Sequence, residues 1–288
     1  MDLFIVLACL FFLVMNMGII AGGARRKAKQ MLCLSRLLKW GQIFQTYAND
    51  NDGHLISWHE LDPGDETYAP PGVSVDFHEY CWVPRLHKYY DKPIEYVYED
   101  EEGWVFNGNW DFCLCPSTNV TWKNGYYEGP HTGWDFRWLH EYAAGEWWPY
   151  YDSSYGSYGK NSWVSDTNVA HGAADCDPAV ASYWDTVRVS EAGSIPLFGD
   201  CSMMGGFPNV HCEIPQERIR EPMAQGDEIS RWVQDRHTGG VNMLFLDFSA
   251  RRVELKQLWQ LPWQRCWDLT AAPDPQNPEI WPDWMNEL

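Results

Sequence analysis

The hydrophobic pattern of the first 48 residues predicts one continuous helix with two halves of different character. Residues 3–20 are apolar except for Asn16 and Gly18, and no proline occurs before Pro63. Because proline is the residue that most strongly breaks a helix interior, nothing in this segment forces an interruption. At 1.5 Å per residue the helix would span roughly 70 Å, far more than an ordinary globular helix.

After a basic step at residues 25–29, apolar residues recur every three or four positions up to Tyr47. This spacing predicts a helix face that is buried against the rest of the protein. Asn, Asp and Gly residues at 49–53 suit the turn after a helix C-terminus and predict its end. The predicted stripe comprises Cys33, Leu37, Trp40, Phe44 and Tyr47, widened by Leu34, Leu38 and Gly41.

The remaining chain, residues 49–288, predicts an antiparallel β-sheet with long loop insertions, and the whole chain therefore an α+β fold. An alternating residue pattern at 94–98, an acidic turn and a second short apolar run at 104–106 predict one hairpin. Residues 241–246 and 252–255 predict a second hairpin, and residues 195–200 a further strand. Residues 201–236 have little periodicity and are expected to form a long insertion.

The net charge of −19 narrows the classes of partner. Six basic residues and one acidic residue fall in the first 48 positions, so the head is more acidic than the chain as a whole. An acidic surface argues against nucleic-acid binding, which requires a basic footprint. It could collect divalent cations, and the calcium candidates are Asp175, Asp177 and Asp200.

The 18 tryptophans and 15 tyrosines allow two interpretations. Aromatic side chains could supply bulk for a core with few long strands, which is the simpler interpretation. They could also form a sugar-stacking surface, for which the candidates are Trp134, Trp138, Trp147 and Trp148.

The chain has nine cysteines, and no Cys-x-x-Cys pair with matching histidine spacing occurs. A structural zinc site is therefore not predicted from spacing. Disulfides in an oxidising compartment are the preferred interpretation, with their connectivity left open. The candidates are Cys33, Cys81, Cys113, Cys115, Cys176, Cys201, Cys212 and Cys266. Asn119, in Asn119-Val120-Thr121, is a candidate glycosylation site.

No pattern in the sequence favours an enzyme or an organic cofactor. There is no Gly-x-Ser-x-Gly nucleophile elbow, and the glycine pairs lack the Lys-Ser/Thr of a phosphate-binding loop. His237 and Asp247 could be an acid–base or metal pair, but a His at a strand start and an Asp at a turn are more often structural.

Several motifs together resemble bacterial type IV pilin-like proteins, in particular the large pseudopilin-like class with a His-x9-Asp-Gly motif. The stem carries Cys33-Leu34-Ser35 and ends at Asp52-Gly53, and the head carries Cys115-Pro116-Ser117. Ser157-Tyr-Gly-Lys-Asn-Ser-Trp163 and Ile195-Pro-Leu-Phe-Gly-Asp200 are similar to further family segments. His237 and Asp247 have the family's spacing, but Phe248 stands where the family has Gly, and Ile5 where type IV pilins have a Glu.

This resemblance implies a pilin-type stem at residues 1–48, apolar at 3–24 and amphipathic at 25–48, on a globular head at 49–288. The chain would be a filament subunit that sits in the inner membrane with the assembly machinery and then forms an extracellular homopolymer. Residues 3–20 are long enough to span a membrane, although the positive-inside rule would keep the head in the cytoplasm. Two alternatives stay open: a minor pseudopilin of a type II secretion system, and a membrane-anchored carbohydrate-binding protein. The polymerisation positions are Leu3, Phe4, Leu7, Leu10, Phe11, Leu13, Val14, Met17 and Ile20.

Overall fold

A computed structural model describes a large part of the chain, and every structural statement below concerns that part. Side chains are described from Gly22 onward in the N-terminal helix, but not in the short strands before Gly156. The described residues are 2–56, 155–165, 183–203, 205–218 and 228–288, with short pieces between residues 86 and 135.

The described elements are one long helix, eleven strands, three short 3₁₀ helices and a short C-terminal α-helical turn, which confirms the α+β class. Helix α1 spans Asp2–Asp50, and α2 spans Asp283–Asn286. The strands are β1 Glu95–Tyr98, β2 Trp104–Asn107, β3 Trp122–Lys123, β4 Tyr126–Tyr127, β5 Trp134–Asp135, β6 Tyr155–Gly156, β7 Tyr158–Asn161, β8 Pro196–Asp200, β9 Gly205–Gly206, β10 Gly240–Phe245 and β11 Ala250–Glu254.

Five strands form the main sheet, in the order β11-β10-β8-β7-β9. The prediction of a purely antiparallel sheet is wrong, because β9 pairs with β7 in parallel while the other neighbours are antiparallel. This strand comes from the predicted 201–236 insertion, where Gly205 and Gly206 pair with Lys160 and Asn161. Both predicted hairpins are present, as β1–β2 and β10–β11.

Helix α1 packs on β10 and β11 through most of the predicted stripe. Cys33, Leu37, Trp40 and Phe44 are fully buried, and Tyr47 is half-buried. Leu38 was predicted to widen the stripe but is 47% exposed, because it lies one residue beyond the face that contacts the sheet.

The helix ends in a turn built from left-handed residues, as the Asn/Asp/Gly run predicts. Asp52 has φ 55° and Gly53 has φ 91°. The Gly53 amide donates to the Ala48 carbonyl at 2.7 Å, which satisfies one of the helix's last carbonyl groups.

Among the described residues, no helix combines the length and the apolar character that a membrane span requires. The backbone of residues 2–21 is helical, but their side chains lie outside the description. The nine predicted polymerisation positions therefore remain a prediction.

The main sheet has apolar layers on both faces. Alternate residues of β10 divide between them: Leu244 joins the core under α1, whereas Val241, Met243 and Phe245 join a second core. The second core is covered by the C-terminal tail and contains the buried tryptophans Trp232, Trp259, Trp263, Trp267 and Trp281. Within the described part, these tryptophans therefore supply core volume, as the simpler interpretation predicted.

Candidate functional site

Four polar or sulfur side chains from distant parts of the chain meet in one buried cluster. Cys33 comes from α1, Cys115 from the turn at 114–118, Asp200 from the end of β8, and His237 from the residues before β10. Their sulfur, carboxylate and imidazole atoms all lie within 4.8 Å of one another. We refer to these four residues as the buried Cys-Asp-His cluster.

Local hydrogen bonds and a turn position Cys115 and His237. The Cys115 amide donates to Ser157 Oγ at 2.5 Å, and the Ser117 amide donates to Cys115 Sγ at 3.4 Å. The carbonyl of His237 accepts from Arg252 Nε at 3.0 Å. A turn with φ 55° at Thr238 and φ 76° at Gly239 then leads into β10.

Asp200 is the charged centre of the cluster and is completely buried. Its Oδ2 lies 3.1 Å from His237 Nε2 and accepts from the Asn242 amide at 2.8 Å. Its Oδ1 lies 3.4 Å from an Arg236 guanidinium nitrogen, in an ion pair without solvent exposure. Burial opposes ionisation, but His237, Arg236 and the Asn242 amide outweigh it, so the pKa of Asp200 is below its usual value.

The two cysteines respond differently to the same surroundings. Cys33 Sγ lies 3.7 Å from Asp200 Oδ2 and accepts from Tyr158 Oη at 3.3 Å. Burial, together with Cys115 and Asp200, raises the pKa of Cys33 well above its ordinary value. Burial also opposes ionisation of Cys115, but hydrogen bonds with Cys33 and His237 lower the pKa of Cys115 to about 6.

His237 contacts Cys115, with 3.3 Å between Nε2 and Sγ. Burial would lower the pKa of His237, but Asp200 and Cys115 raise it to about 9. Such a pair resembles an activated thiol nucleophile, yet Cys115 is only 1% exposed, so a substrate has no open approach in the described structure. The cluster is instead suited to holding a small ion between its four donors.

The structure places Asp247, Asp52 and Gly53 outside the cluster. Asp247 follows β10, so a strand of about 20 Å lies between it and His237, and these two do not form a pair. Asp247 instead accepts from the Ser249 amide and hydroxyl in the hairpin turn. Asp52 and Gly53 form the turn after α1.

Cys33, Cys115 and Cys201 are free thiols, Cys212 is buried and Cys266 is exposed. The remaining disulfide candidates Cys81, Cys113 and Cys176, the calcium candidates Asp175 and Asp177, and Asn119 lie outside the described residues. So do Trp138, Trp147, Trp148 and the side chain of Trp134, so the sugar-binding alternative also stays a prediction.

Sequence reasoning singled out all four cluster residues but assigned them to separate roles. Cys33 and Cys115 were disulfide candidates, Asp200 a calcium candidate and His237 a structural residue. The available signal was that each lies in one of the segments on which the sequence resemblance rests. Spacing could not join them, because Cys33 and His237 are 204 positions apart.

The chain was compared with protein-family models, with curated proteins and with solved structures, and none of these comparisons produced a match.

Proposed function

We propose that this protein is the structural subunit of an extracellular type IV pilus-like filament, polymerising through the apolar N-terminal half of α1. The observation that carries the proposal is the change in environment along this one helix. Residues 22–28 are exposed, whereas the stripe from Cys33 to Ala48 is buried in the head. Among the described side chains, α1 is therefore exposed at its N-terminal end and packed on the head from Cys33 onward.

The apolar sequence of residues 3–20 supports the same proposal. A helix that is apolar on all sides is satisfied only by lipid or by a bundle of similar helices. A subunit of this kind sits in the inner membrane before assembly and buries its apolar segment among identical segments in the filament. The acidic heads then form the outer layer, where like charge keeps the filaments soluble.

Ring packing and hydrogen bonds attach α1 to the head. Trp40 packs against Phe112 and Phe198, with ring centroids 5.1 and 5.2 Å apart, and its Nε1 donates to the Phe112 carbonyl at 3.2 Å. Arg36 donates to the Leu114 carbonyl at 2.5 Å, and the Asn242 side chain donates to the Gln30 carbonyl at 3.1 Å. These contacts join α1 both to the main sheet, through Phe198 and Asn242, and to the segment around Phe112 and Leu114.

Electron microscopy of material sheared from cells that express the full chain tests the proposal. We expect filaments from the wild type and from Gln45→Lys, which adds a charge at an exposed position of α1. Leu10→Lys should give no filaments, because it places a charge in the apolar segment at a cost of about 3 kcal/mol or more.

Filaments from Leu10→Lys, or their absence from the wild type under conditions where the protein is exported, would contradict the proposal. Short assemblies, seen only when a secretion machine is overproduced, would favour the minor pseudopilin instead.

A further inference from the structure

We propose that the buried Cys-Asp-His cluster is a structural zinc site, in which Cys33, Cys115, Asp200 and His237 hold one Zn²⁺ ion and fasten α1 to the head. This proposal does not depend on the filament proposal, because it rests on the geometry of four side chains. It was not predicted from the sequence, because no two of its ligands lie close together along the chain.

The spacing of the donor atoms matches a tetrahedral coordination sphere. Zinc–sulfur bonds of about 2.3 Å and zinc–nitrogen or zinc–oxygen bonds of about 2.0–2.1 Å place neighbouring ligand atoms roughly 3.3–3.8 Å apart. The observed separations are 3.7 Å from Cys33 Sγ to Asp200 Oδ2, 3.1 Å from Asp200 Oδ2 to His237 Nε2, and 3.3 Å from His237 Nε2 to Cys115 Sγ. The largest separation within the group, at most 4.8 Å, needs only a side-chain adjustment to close around an ion.

The donor set selects zinc over the calcium predicted from the sequence. Two sulfur atoms and an imidazole nitrogen are typical zinc ligands, and one carboxylate oxygen completes a four-coordinate site. Calcium takes six to eight oxygen ligands, which these residues do not offer. With four protein ligands the site has no open position, so it resembles a structural centre rather than a catalytic one.

The surrounding residues supply a second layer that orients the ligands. Arg236 pairs with Asp200 Oδ1, and the Asn242 amide donates to Asp200 Oδ2. Tyr158 Oη donates to Cys33 Sγ, and the Ser117 amide donates to Cys115 Sγ. Such outer partners position metal ligands and raise their affinity.

Charge also balances in the occupied site. Zinc binds cysteine as the thiolate and histidine as the neutral imidazole, and any proton that these groups carried is released to solvent. The occupied group of two thiolates, one carboxylate, one guanidinium and one Zn²⁺ therefore remains neutral, as a fully buried site requires.

Metal analysis of the purified full chain tests the site, with thiol oxidation state measured by mass spectrometry on the same sample. We expect about one zinc ion per chain in the wild type. Cys33→Ser and Cys115→Ser should lose most of it. Cys201→Ser is the matched control, because Cys201 is also a completely buried free thiol but lies outside the cluster, and it should keep its zinc.

If the serine variants do not fold, cobalt substitution of the wild type tests whether the two cysteines bind the metal. Co²⁺ bound by two thiolates gives sulfur-to-cobalt charge-transfer bands and strong tetrahedral d–d bands, and zinc should displace it. Removing the zinc with a chelator should lower the unfolding temperature by several degrees, since a ligand bound only to the folded state stabilises it.

Three results would overturn the proposal. One is a Cys33–Cys115 disulfide in protein purified without reductant. A second is reduced protein that takes up neither zinc nor cobalt. The third is zinc that both cluster variants retain.

Discussion

At the scale of single residues, the structure tolerates several buried charges because each is paired or donates hydrogen bonds. Asp200 and Arg236 neutralise each other inside the protein. Lys160 has no oppositely charged partner among the described residues: it is completely buried and donates to the Val164 carbonyl and, at 3.2 Å, to Ser165 Oγ. Burial alone lowers the pKa of Lys160 to about 7.

Lys160 should make the stability of the protein rise with pH. The unfolded chain keeps this lysine protonated up to its ordinary pKa of 10.5, whereas the folded chain releases the proton near 7. The unfolded state binds more protons between these values, so the free energy of unfolding increases through that window. Lys160→Met should remove this increase, by several kcal/mol across the window.

Urea unfolding at several pH values from about 6 to 11 measures the effect as the difference between wild type and variant. Lys27→Met, at an exposed position of α1, should keep the wild-type pH dependence. Equal slopes for the wild type and Lys160→Met would show that the lysine is not buried as described.

At the scale of elements, α1 and the β10–β11 hairpin form one packed unit. Gly41 lets the helix approach the hairpin turn closely, since a Cβ there would lie 3.0 Å from a Leu244 methyl and 3.2 Å from the Phe248 carbonyl. Phe248 adopts φ 64°, a left-handed conformation that favours glycine, at the position where the resembling family has glycine. The hairpin keeps this conformation because Phe248 also packs on the core under α1.

Two substitutions of Phe248 separate backbone strain from packing. Phe248→Ala and Phe248→Gly both lose the ring, but only glycine adopts positive φ without a steric cost. We therefore expect Phe248→Gly to be the more stable of the two by about 1 kcal/mol in chemical denaturation. Ser249 does not have positive φ, so at that position the alanine variant should be more stable than the glycine variant. If the glycine variant were the more stable at both positions, backbone strain at Phe248 would be refuted.

At the scale of the whole molecule, the main sheet lies between α1 and the tryptophan-rich C-terminal tail. Trp281 packs on Trp259 with ring centroids 5.4 Å apart, and its Nε1 donates to the Asp274 carbonyl at 2.9 Å. The tail thus covers the sheet face opposite α1, and stability depends on both layers.

Trp281→Ala should lower the free energy of unfolding by about 3–5 kcal/mol, because it removes a large buried side chain and leaves a cavity. Ile280→Ala is the matched control: Ile280 is 39% exposed, and its loss should cost less than about 1 kcal/mol. Thermal unfolding of both variants measures the difference. Equal losses would mean that the tail does not cover the second core.

The sequence predicted the elements whose signals are local. Helical spacing identified Cys33, Leu37, Trp40 and Phe44 as buried, and alternating residue patterns around acidic or polar turns identified both hairpins.

The sequence did not predict features that depend on contacts between distant segments. The exposure of Leu38 depends on how wide a face of α1 the sheet covers, and the parallel pairing of β9 depends on a strand from a segment without periodicity.

The sequence alone therefore determined a long helix with one buried face, an acidic aromatic-rich head and the α+β class, because these follow from residue spacing and composition. Only the tertiary structure brought Cys33, Cys115, Asp200 and His237 together, through the packing of α1 on the sheet. No local pattern encodes this cluster, since its four members come from four segments and meet only after the core has formed. The further inference of a zinc site rests on that long-range packing.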